Sequence, residues 1–157
     1  MRFDELLEKR APEGSYVCGK FDKDTTDILA EYQELHHIPN PLDANELHVT
    51  IVYSRATIYW RAEHDLCNVA HPIGFEVWDT KDEKKCLGLK IESDYLRTRF
   101  DLATARGATY DFDEYKPHIT LSYDVGDDFN VSDLPVPEFE IIIDREEYEP
   151  LNPEYTA

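Results

Sequence analysis

The chain has 157 residues, and its 34 acidic and 16 basic side chains give a formal net charge of −18. Basic groups supply most of the affinity of proteins for long nucleic acids, so this charge argues against a partner of that kind. No apolar run approaches the roughly 18 residues that span a bilayer, and the charged start of the chain lacks the apolar centre of a signal peptide. We expect one cytoplasmic domain over residues 1–157, with no membrane partner and a monomer slightly favoured.

Cysteine and histidine spacing gives no sign of a metal site. Cys18, Cys67 and Cys86 are an odd number without CxxC spacing, which argues against a disulfide framework and a cysteine zinc site. His64 and His71 have no acidic or histidine partner two or four residues away, as a zinc triad would need. The sequence also lacks a glycine-rich phosphate loop. We therefore expect no metal and no cofactor.

The pattern of apolar residues predicts six strands and two long helices. Apolar residues recur at three- and four-residue spacing in the first long helix, which Pro39 and Pro41 end. The second begins at Ser93, and Gly107 follows its last residue, Arg106. Two of the strands form a hairpin through the polar stretch Asp79–Lys85. In chain order we predict a helical turn at Asp4–Arg10, a strand at Ser15–Phe21, a helix at Asp24–His37, strands at Leu47–Tyr53, Asn68–Trp78 and Cys86–Glu92, a helix at Ser93–Arg106, strands at Pro117–Tyr123 and Phe139–Ile143, and coil at Glu149–Ala157.

That order contains a weak internal repeat of two β-α-β units. One unit ends in the strand LHVTIVY and the other in PHITLSY. Tyr16 precedes His48 by the same number of residues as Cys86 precedes His118. A pseudo-twofold axis between the units would place the two terminal strands side by side. We therefore predict an α+β fold of two pseudo-symmetric β-α-β half-units, with mostly antiparallel sheets lining a central cleft and helices outside.

Each of these terminal strands carries a His-x-Thr motif. Side chains at positions i and i+2 of a strand share a face, so His48 lies with Thr50 and His118 lies with Thr120. Histidine titrates closest to neutral pH, and one base with one acid is enough to move the two protons of a phosphoryl transfer. The threonine hydroxyls can hydrogen-bond the phosphate oxygens. Two such triplets are only mildly surprising for this composition. Their matching positions in matching half-units are what favours a catalytic role.

The paired motifs, one in each half of a short α+β chain, resemble those of the 2H phosphoesterases. This family includes 2′,3′-cyclic phosphodiesterases and RNA 2′–5′ ligase-like proteins. Within it, the opening MRFDELLEKRAPEGSYVCGKF, the length and the acidic end IIIDREEYEPLN are most similar to the anti-CBASS phosphodiesterases of bacteriophages. Those enzymes destroy the cyclic oligonucleotide signals made by bacterial antiphage systems, so the resemblance places the chain in the host cytoplasm if a phage encodes it.

The resemblance implies metal-free cleavage of 3′–5′ bonds in cyclic di- and trinucleotides, with cyclic GMP–AMP (cGAMP) as the representative substrate. It also implies which residues act. These are His48, Thr50, His118 and Thr120 as catalytic residues, Tyr16 and Trp78 as base-stacking residues, and Glu146 as an acid that contacts a base.

Each of the three substrate-binding assignments has an ordinary structural alternative. Tyr16 and Trp78 are placed to stack on a nucleobase, which is worth about 1–3 kcal/mol, or to pack within the fold. Trp60 is a competing candidate for stacking. The Glu146 carboxylate can accept a hydrogen bond from a base amino group, as glutamate side chains in DNA-binding proteins do from cytosine. It can equally be a solvated charge, and Glu147 is nearly as good a candidate.

The expected mechanism resembles ribonuclease-type transesterification. One histidine removes the proton of a ribose 2′-OH, which attacks the adjacent phosphorus, and the other protonates the leaving 5′ oxygen. The sequence does not distinguish base from acid. Lys116 can neutralise phosphate or serve as an edge-strand charge. The net charge favours a small cyclic oligonucleotide held by stacking over long RNA.

Two other functions remain open at this point. One is a 2′,3′-cyclic phosphodiesterase or RNA-end-processing 2H enzyme, which would cleave linear RNA better than cyclic dinucleotides. The other is a non-enzymatic acidic protein, either a sponge that holds the nucleotide intact or a mimic that blocks a basic protein.

Overall fold

The computed structural model describes residues 14–151, which form six strands and two α-helices. Short 3-10 turns lie at Ala44–Glu46 and Val131–Asp133. The helical turn predicted at Asp4–Arg10 lies outside the described residues. The elements are β1 (Ser15–Phe21), α1 (Lys23–Leu35), β2 (Val49–Ser54), β3 (Asn68–Asp79), β4 (Lys85–Glu92), α2 (Asp94–Ala105), β5 (His118–Ser122) and β6 (Ile141–Pro150).

The order and type of these elements match the sequence prediction, and the main difference is the last strand. It was predicted at Phe139–Ile143, but β6 begins at Ile141 and continues to Pro150, into the segment predicted as coil. The extra length pairs with β1 from Ser15 opposite Pro150 onward. Acidic residues have low strand propensity, and pairing with a neighbouring strand overrides it here.

All six strands pair antiparallel in one closed sheet with the order β1-β2-β5-β4-β3-β6. The α+β class is therefore confirmed. The sheet divides into two half-sheets, β6-β1-β2 and β3-β4-β5, which contain the strands of the two predicted β-α-β units and join along two seams. At the first seam β2 pairs with β5, and at the second β3 pairs with β6.

The register confirms that the halves are related by a pseudo-twofold exchange. Cys18 pairs with Thr50 in one half, and Gly88 pairs with Thr120 in the other. This exchange matches β1 to β4, β2 to β5 and β6 to β3. Each half therefore presents the same three-strand frame to the seam between β2 and β5.

The hydrophobic core lies on one face of this sheet, under the helices. Val49 and Ile51 of β2 are fully buried there, as are Ile119 and Leu121 of β5. Both helices have side-chain caps at their first turn. Asp22 accepts a hydrogen bond from the Thr25 amide, and Ser93 accepts one from the Leu96 amide. These caps satisfy amides that the helix leaves unpaired, and they fix where each helix leaves its strand.

Among residues 14–151, neither helix is long and apolar enough to cross a membrane.

Candidate active site

The two His-x-Thr motifs meet at the seam between β2 and β5. Val49 pairs with Ile119, so the antiparallel register sets His48 beside Thr120 and Thr50 beside His118. All four motif side chains alternate away from the buried core positions and are partly exposed. The prediction that the motif strands are neighbours is confirmed, and the four groups form one compact set.

Both histidines are held in the same way. The Nδ1 atom of His48 lies 2.7 Å from the carbonyl oxygen of Glu46, and the Nδ1 atom of His118 lies 3.1 Å from that of Lys116. A carbonyl oxygen only accepts, so Nδ1 carries the proton in each ring. Each neutral ring therefore keeps its lone pair on Nε2, which is the atom left for proton transfer.

His48 is biased toward the neutral form. Burial lowers the pKa of His48, and the positive charges of Lys20 and His118 lower it further, against the raising effects of the Glu46 carbonyl and the Glu147 carboxylate. The influence of His118 shows that the two rings are within electrostatic range of one another. A neutral imidazole at physiological pH has the lone pair that a general base requires.

Each motif threonine has a side-chain partner from the neighbouring strand. The Tyr16 hydroxyl lies 3.0 Å from the Thr50 hydroxyl, and the Cys86 thiol hydrogen-bonds the Thr120 hydroxyl. Burial raises the pKa of Cys86 to about 11, so it remains a thiol at neutral pH. Tyr16 and Cys86 occupy the positions that the sequence repeat pairs. The two threonines are thus oriented by matching contacts from different residue types.

The cleft beside His48 is lined by β1 and β6. Tyr16, Cys18 and Lys20 contribute to it from alternate positions of β1, and Glu147 and Glu149 contribute from β6. The Tyr16 ring meets the His48 ring edge-on with centroids 6.5 Å apart. This end of the cleft therefore combines an aromatic ring with two exposed carboxylates.

The cleft beside His118 is built differently. The Trp78 ring meets the His118 ring at a steep angle, with centroids 5.0 Å apart. The tryptophan lies over Gly88, where an added Cβ would be only 2.6 Å from its Cζ3 atom. Gly88 thus makes room for the ring. The structure brings Tyr16 and Trp78 to opposite ends of the set of histidines and threonines.

Glu146 is not in this cleft. Its side chain is 0% exposed and points to the opposite side of β6 from Glu147. Its carboxylate accepts two hydrogen bonds of 2.7 Å from Arg99 and one of 2.7 Å from the Tyr95 hydroxyl. Trp60, the competing candidate for base stacking, donates its indole N–H to the same carboxylate at 3.1 Å.

The charge of Glu146 is balanced where it is buried. Burial alone would raise the pKa of Glu146, but the hydrogen bonds from Arg99 and Tyr95 outweigh it and lower that pKa below its usual value. Arg99 also lies over the Trp60 ring, 4.2 Å from the ring centre, and pairs with Glu63 at 3.1 Å. These contacts join β6, α2 and the segment between β2 and β3 into one polar cluster.

The part of the chain that the structure describes contains no group of three or more His, Cys, Asp or Glu side chains that could hold a metal ion.

A protein-family model described as "Anti-CBASS protein Acb1" matches residues 13–157. The chain belongs to this family. It is 43% identical over 138 residues to the anti-CBASS protein Acb1 of Enterobacteria phage T4, a match that covers 88% of each chain. It is 41% identical over 143 residues to that of Salmonella phage S16, covering 91% of each.

Solved structures of other proteins share the fold of this Acb1-family chain. LigT of Escherichia coli complexed with phosphate superposes with a TM-score of 0.53 at 13% identity, over 90% of this chain and 96% of that one. A protein described as a phosphoesterase gives a TM-score of 0.51 at 16% identity over the same shares. At these identities the likeness concerns the fold.

Sequence reasoning missed several residues that line the cleft of this Acb1-family protein. Cys18 and Lys20 share the strand face of Tyr16 at spacings of two and four residues, a signal that was present in SYVCGKF. Glu149 was missed because its segment was predicted as coil. Gly88 gave no signal, because its role depends on a tryptophan from the neighbouring strand.

Proposed function

We propose that the protein is a metal-independent phosphodiesterase that cleaves 3′–5′ bonds of cyclic di- and trinucleotide immune signals, with cGAMP as a representative substrate. The observation that carries the proposal is the matched pair of imidazoles at the β2–β5 seam, each with Nδ1 tied to a carbonyl and Nε2 left for proton transfer. Membership of the anti-CBASS protein Acb1 family supports the cyclic oligonucleotide as substrate.

In this proposal the reaction is a transesterification. His48, held neutral by burial and by Lys20, removes the proton of a ribose 2′-OH, and the resulting oxyanion attacks the adjacent phosphorus. The bond from phosphorus to the 5′ oxygen breaks, and His118 donates a proton to that oxygen. The products are a 2′,3′-cyclic phosphate and a free 5′-OH. With the roles of the histidines reversed, water then opens the cyclic phosphate to a terminal phosphate.

Thr50 and Thr120 are the proposed donors to the phosphate oxygens. Each lies beside the histidine of the other motif, so the two hydroxyls approach the phosphorus from opposite sides of the seam. Their contacts with Tyr16 and Cys86 fix the hydroxyl positions before substrate binds. Donors that need no rearrangement stabilise the charge that develops in the transition state.

The nucleobases occupy the two ends of the cleft. Trp78 provides a stacking surface at one end, and Tyr16 provides an aromatic ring at the other. Of the two acids that the sequence left open, Glu147 lines the cleft and Glu146 is buried, so we assign the contact with a base amino group to Glu147. A substrate with few phosphates suits a chain of net charge −18.

The experiment that tests the proposal is incubation with 3′,3′-cGAMP in EDTA, followed by chromatography of the products. We expect cleavage through a 2′,3′-cyclic phosphate at a rate that EDTA does not change. A 2′-deoxy sugar at the scissile linkage should leave binding intact and stop cleavage.

Other products would exclude the proposal. Intact cGAMP recovered from the denatured complex would identify a sponge. Efficient cleavage of linear RNA ends with little activity on cGAMP would identify an RNA-processing 2H enzyme. Loss of activity in EDTA with rescue by a divalent ion would overturn the two-histidine mechanism.

A further inference from the structure

Two lysines lie directly beside the two histidines. In the β4–β5 ladder, Lys90 is the cross-strand partner of His118. In the β1–β2 ladder, Gly19 pairs with Val49, so the next step sets Lys20 opposite His48. Lys20 also lines the same part of the cleft as His48. Directly opposed residues of an antiparallel pair point to one face, so each ammonium shares the cleft with its histidine.

The two lysines are equivalent under the pseudo-twofold exchange of the halves. Lys20 lies two residues after Cys18, and Lys90 lies two residues after Gly88, which are the matched partners of the motif threonines. Most of the matched residues around them differ between the halves. A cation nevertheless occupies the same place in both halves, although acids outnumber bases about two to one in this chain.

The two lysines carry no ion-pair partner in the part of the chain that the structure describes. Among residues 14–151, Lys20 donates only to the backbone carbonyl of Asn45 at 3.2 Å. By contrast, Arg145, which pairs across the sheet with Lys20, is occupied by Asp144 at 2.7 Å. Both lysines are only partly buried, so each keeps its charge free for an anionic ligand.

We propose that Lys20 and Lys90 form a pair of phosphate-binding cations that flank the scissile phosphodiester, one on the side of each histidine. This inference rests on the proposed phosphodiesterase function. The two Cα atoms are separated by three strand-to-strand steps, or about 14 Å across the sheet. A phosphate at the seam would therefore lie between the two lysines. In the structure the Lys90 ammonium lies beside Gly74 of β3, where an added Cβ would be 3.9 Å from its Nζ atom, and it would turn toward a bound phosphate. The phosphate gains a second negative charge as the 2′ oxygen attacks, and two flanking cations complement that dianion.

The test uses Lys20→Met and Lys90→Met, with Lys81→Met as the matched control. Lys81 is exposed in the turn between β3 and β4 and gives the same change in net charge. We expect each cleft variant to lower kcat/KM for 3′,3′-cGAMP on the order of 10–100-fold, and to weaken the dependence of kcat/KM on salt. Lys81→Met should match the wild type in both measurements.

The charge-retaining variants Lys20→Arg and Lys90→Arg separate a phosphate contact from a structural role. They should recover most of the lost kcat/KM, while thermal unfolding verifies that all variants are folded. Equal kcat/KM for the two cleft variants and Lys81→Met would overturn the proposal. So would a loss in the methionine variants that arginine does not recover.

A second measurement keeps this proposal distinct from the proposed function. If the wild type cleaves no cyclic dinucleotide, the proposed function fails, and inorganic phosphate then serves as the probe. Titration with phosphate should shift the imidazole NMR signals of His48 and His118 in the wild type and in Lys81→Met. The shifts should be weaker in Lys20→Met and Lys90→Met, and equal shifts in all four proteins would overturn the lysine pair.

Discussion

The two halves of the cleft share their histidines, threonines and lysines but differ in most of the side chains around them. At matched positions, the His48 half has Tyr16 where the His118 half has Cys86, and Cys18 where the other has Gly88. In the outer strand of each half, Glu149 corresponds to Trp78, since each pairs with the matched residue of the inner strand. The groups proposed to act on phosphate are symmetric, and the groups proposed to meet the bases are not.

The difference continues beneath the sheet. Glu146 of β6 and Phe75 of β3 are matched by register, since Gly19 pairs with the first and Leu89 pairs with the second. Phe75 stacks on Tyr32 of α1, with ring centroids 6.1 Å apart, whereas Glu146 is hydrogen-bonded by two side chains of α2. The outer strand of each half is thus secured to the helix of the opposite half, one by aromatic packing and the other by a buried charge.

Removal of the histidines tests the symmetric part of the comparison and should have the largest effect. His48→Ala and His118→Ala should each reduce kcat by about 10²–10⁴-fold, because each removes one proton transfer. The double variant should be little worse than the weaker single variant, since the groups act as a unit. Thr50→Ala and Thr120→Ala should cost less, on the order of 10–1000-fold. Turnover and circular dichroism of the same samples measure both activity and folding. Near-normal turnover by folded His48→Ala would refute the shared active site.

Replacement of Glu146 tests the difference beneath the sheet, where one half has a buried carboxylate. Glu146→Ala should lower the free energy of unfolding by about 3–5 kcal/mol, because it leaves the largely buried Arg99 guanidinium without its partner. Glu147→Ala should change it by no more than about 0.5 kcal/mol while weakening nucleotide binding, because that residue is exposed in the cleft. Urea unfolding and calorimetric titration with a 2′-deoxy cyclic dinucleotide make the comparison. If Glu146→Ala is fully stable and fails to bind, then Glu146 itself contacts the substrate.

Substitution at Gly88 tests the aromatic difference. In Gly88→Ala, the new methyl group would lie 2.6 Å from a Trp78 ring atom and 3.3 Å from the His118 ring, so the tryptophan must move. We expect weaker binding of the 2′-deoxy analogue, up to the value of one stacked base, about 1–3 kcal/mol. Cys18→Ala, at the matched position, introduces no such clash and is the control. Equal affinity of both variants would show that the position of Trp78 does not limit binding.

The pH dependence should show the smallest difference between the halves. Because the pKa of His48 is lowered, this proposed base stays neutral at lower pH than an ordinary histidine. The loss of kcat/KM with falling pH should therefore occur below the usual histidine value of about 6.5. Lys20→Met removes a positive charge that lowers the pKa of His48. The acidic limb of the kcat/KM profile should therefore move to higher pH. NMR titration of His48 tests whether this limb reports the protonation of its ring. A midpoint of the kcat/KM limb that differs from the pKa of His48 in that titration would contradict the assignment.

The sequence predicted the symmetric features better than the asymmetric ones. The repeat of His48 and His118 in matching strands was enough to predict that β2 and β5 are neighbours, because local pattern and topology agree there. The choice between Glu146 and Glu147 as the acid that faces the cleft could not be made from the sequence, because it depends on which face of β6 is turned toward the core. That strand was predicted to end at Ile143, so no alternation was available for the acids that follow.

Contacts between residues far apart in the sequence could not be predicted from local patterns. The Glu146 cluster takes donors from Trp60, Tyr95 and Arg99, which share no local motif. The sequence likewise offered no reason to single out Lys20 and Lys90. Only the register shows that each lies opposite a motif histidine. Where a strand was predicted, its two faces were readable by alternation, but the cross-strand partner of each residue follows only from the register.

The seam between β2 and β5 also bears on how the protein reaches its active state. Its register consists of the single pair Val49 and Ile119, which are 70 positions apart. Contacts between distant segments carry a large loop-closure cost and tend to form late in folding. After dilution from denaturant, the proposed phosphodiesterase activity should therefore return after the far-ultraviolet circular dichroism signal. Simultaneous recovery would mean that the seam forms together with the strands. Enzymatic competence would then mark the final step of folding, because no single half of the molecule contains both histidines.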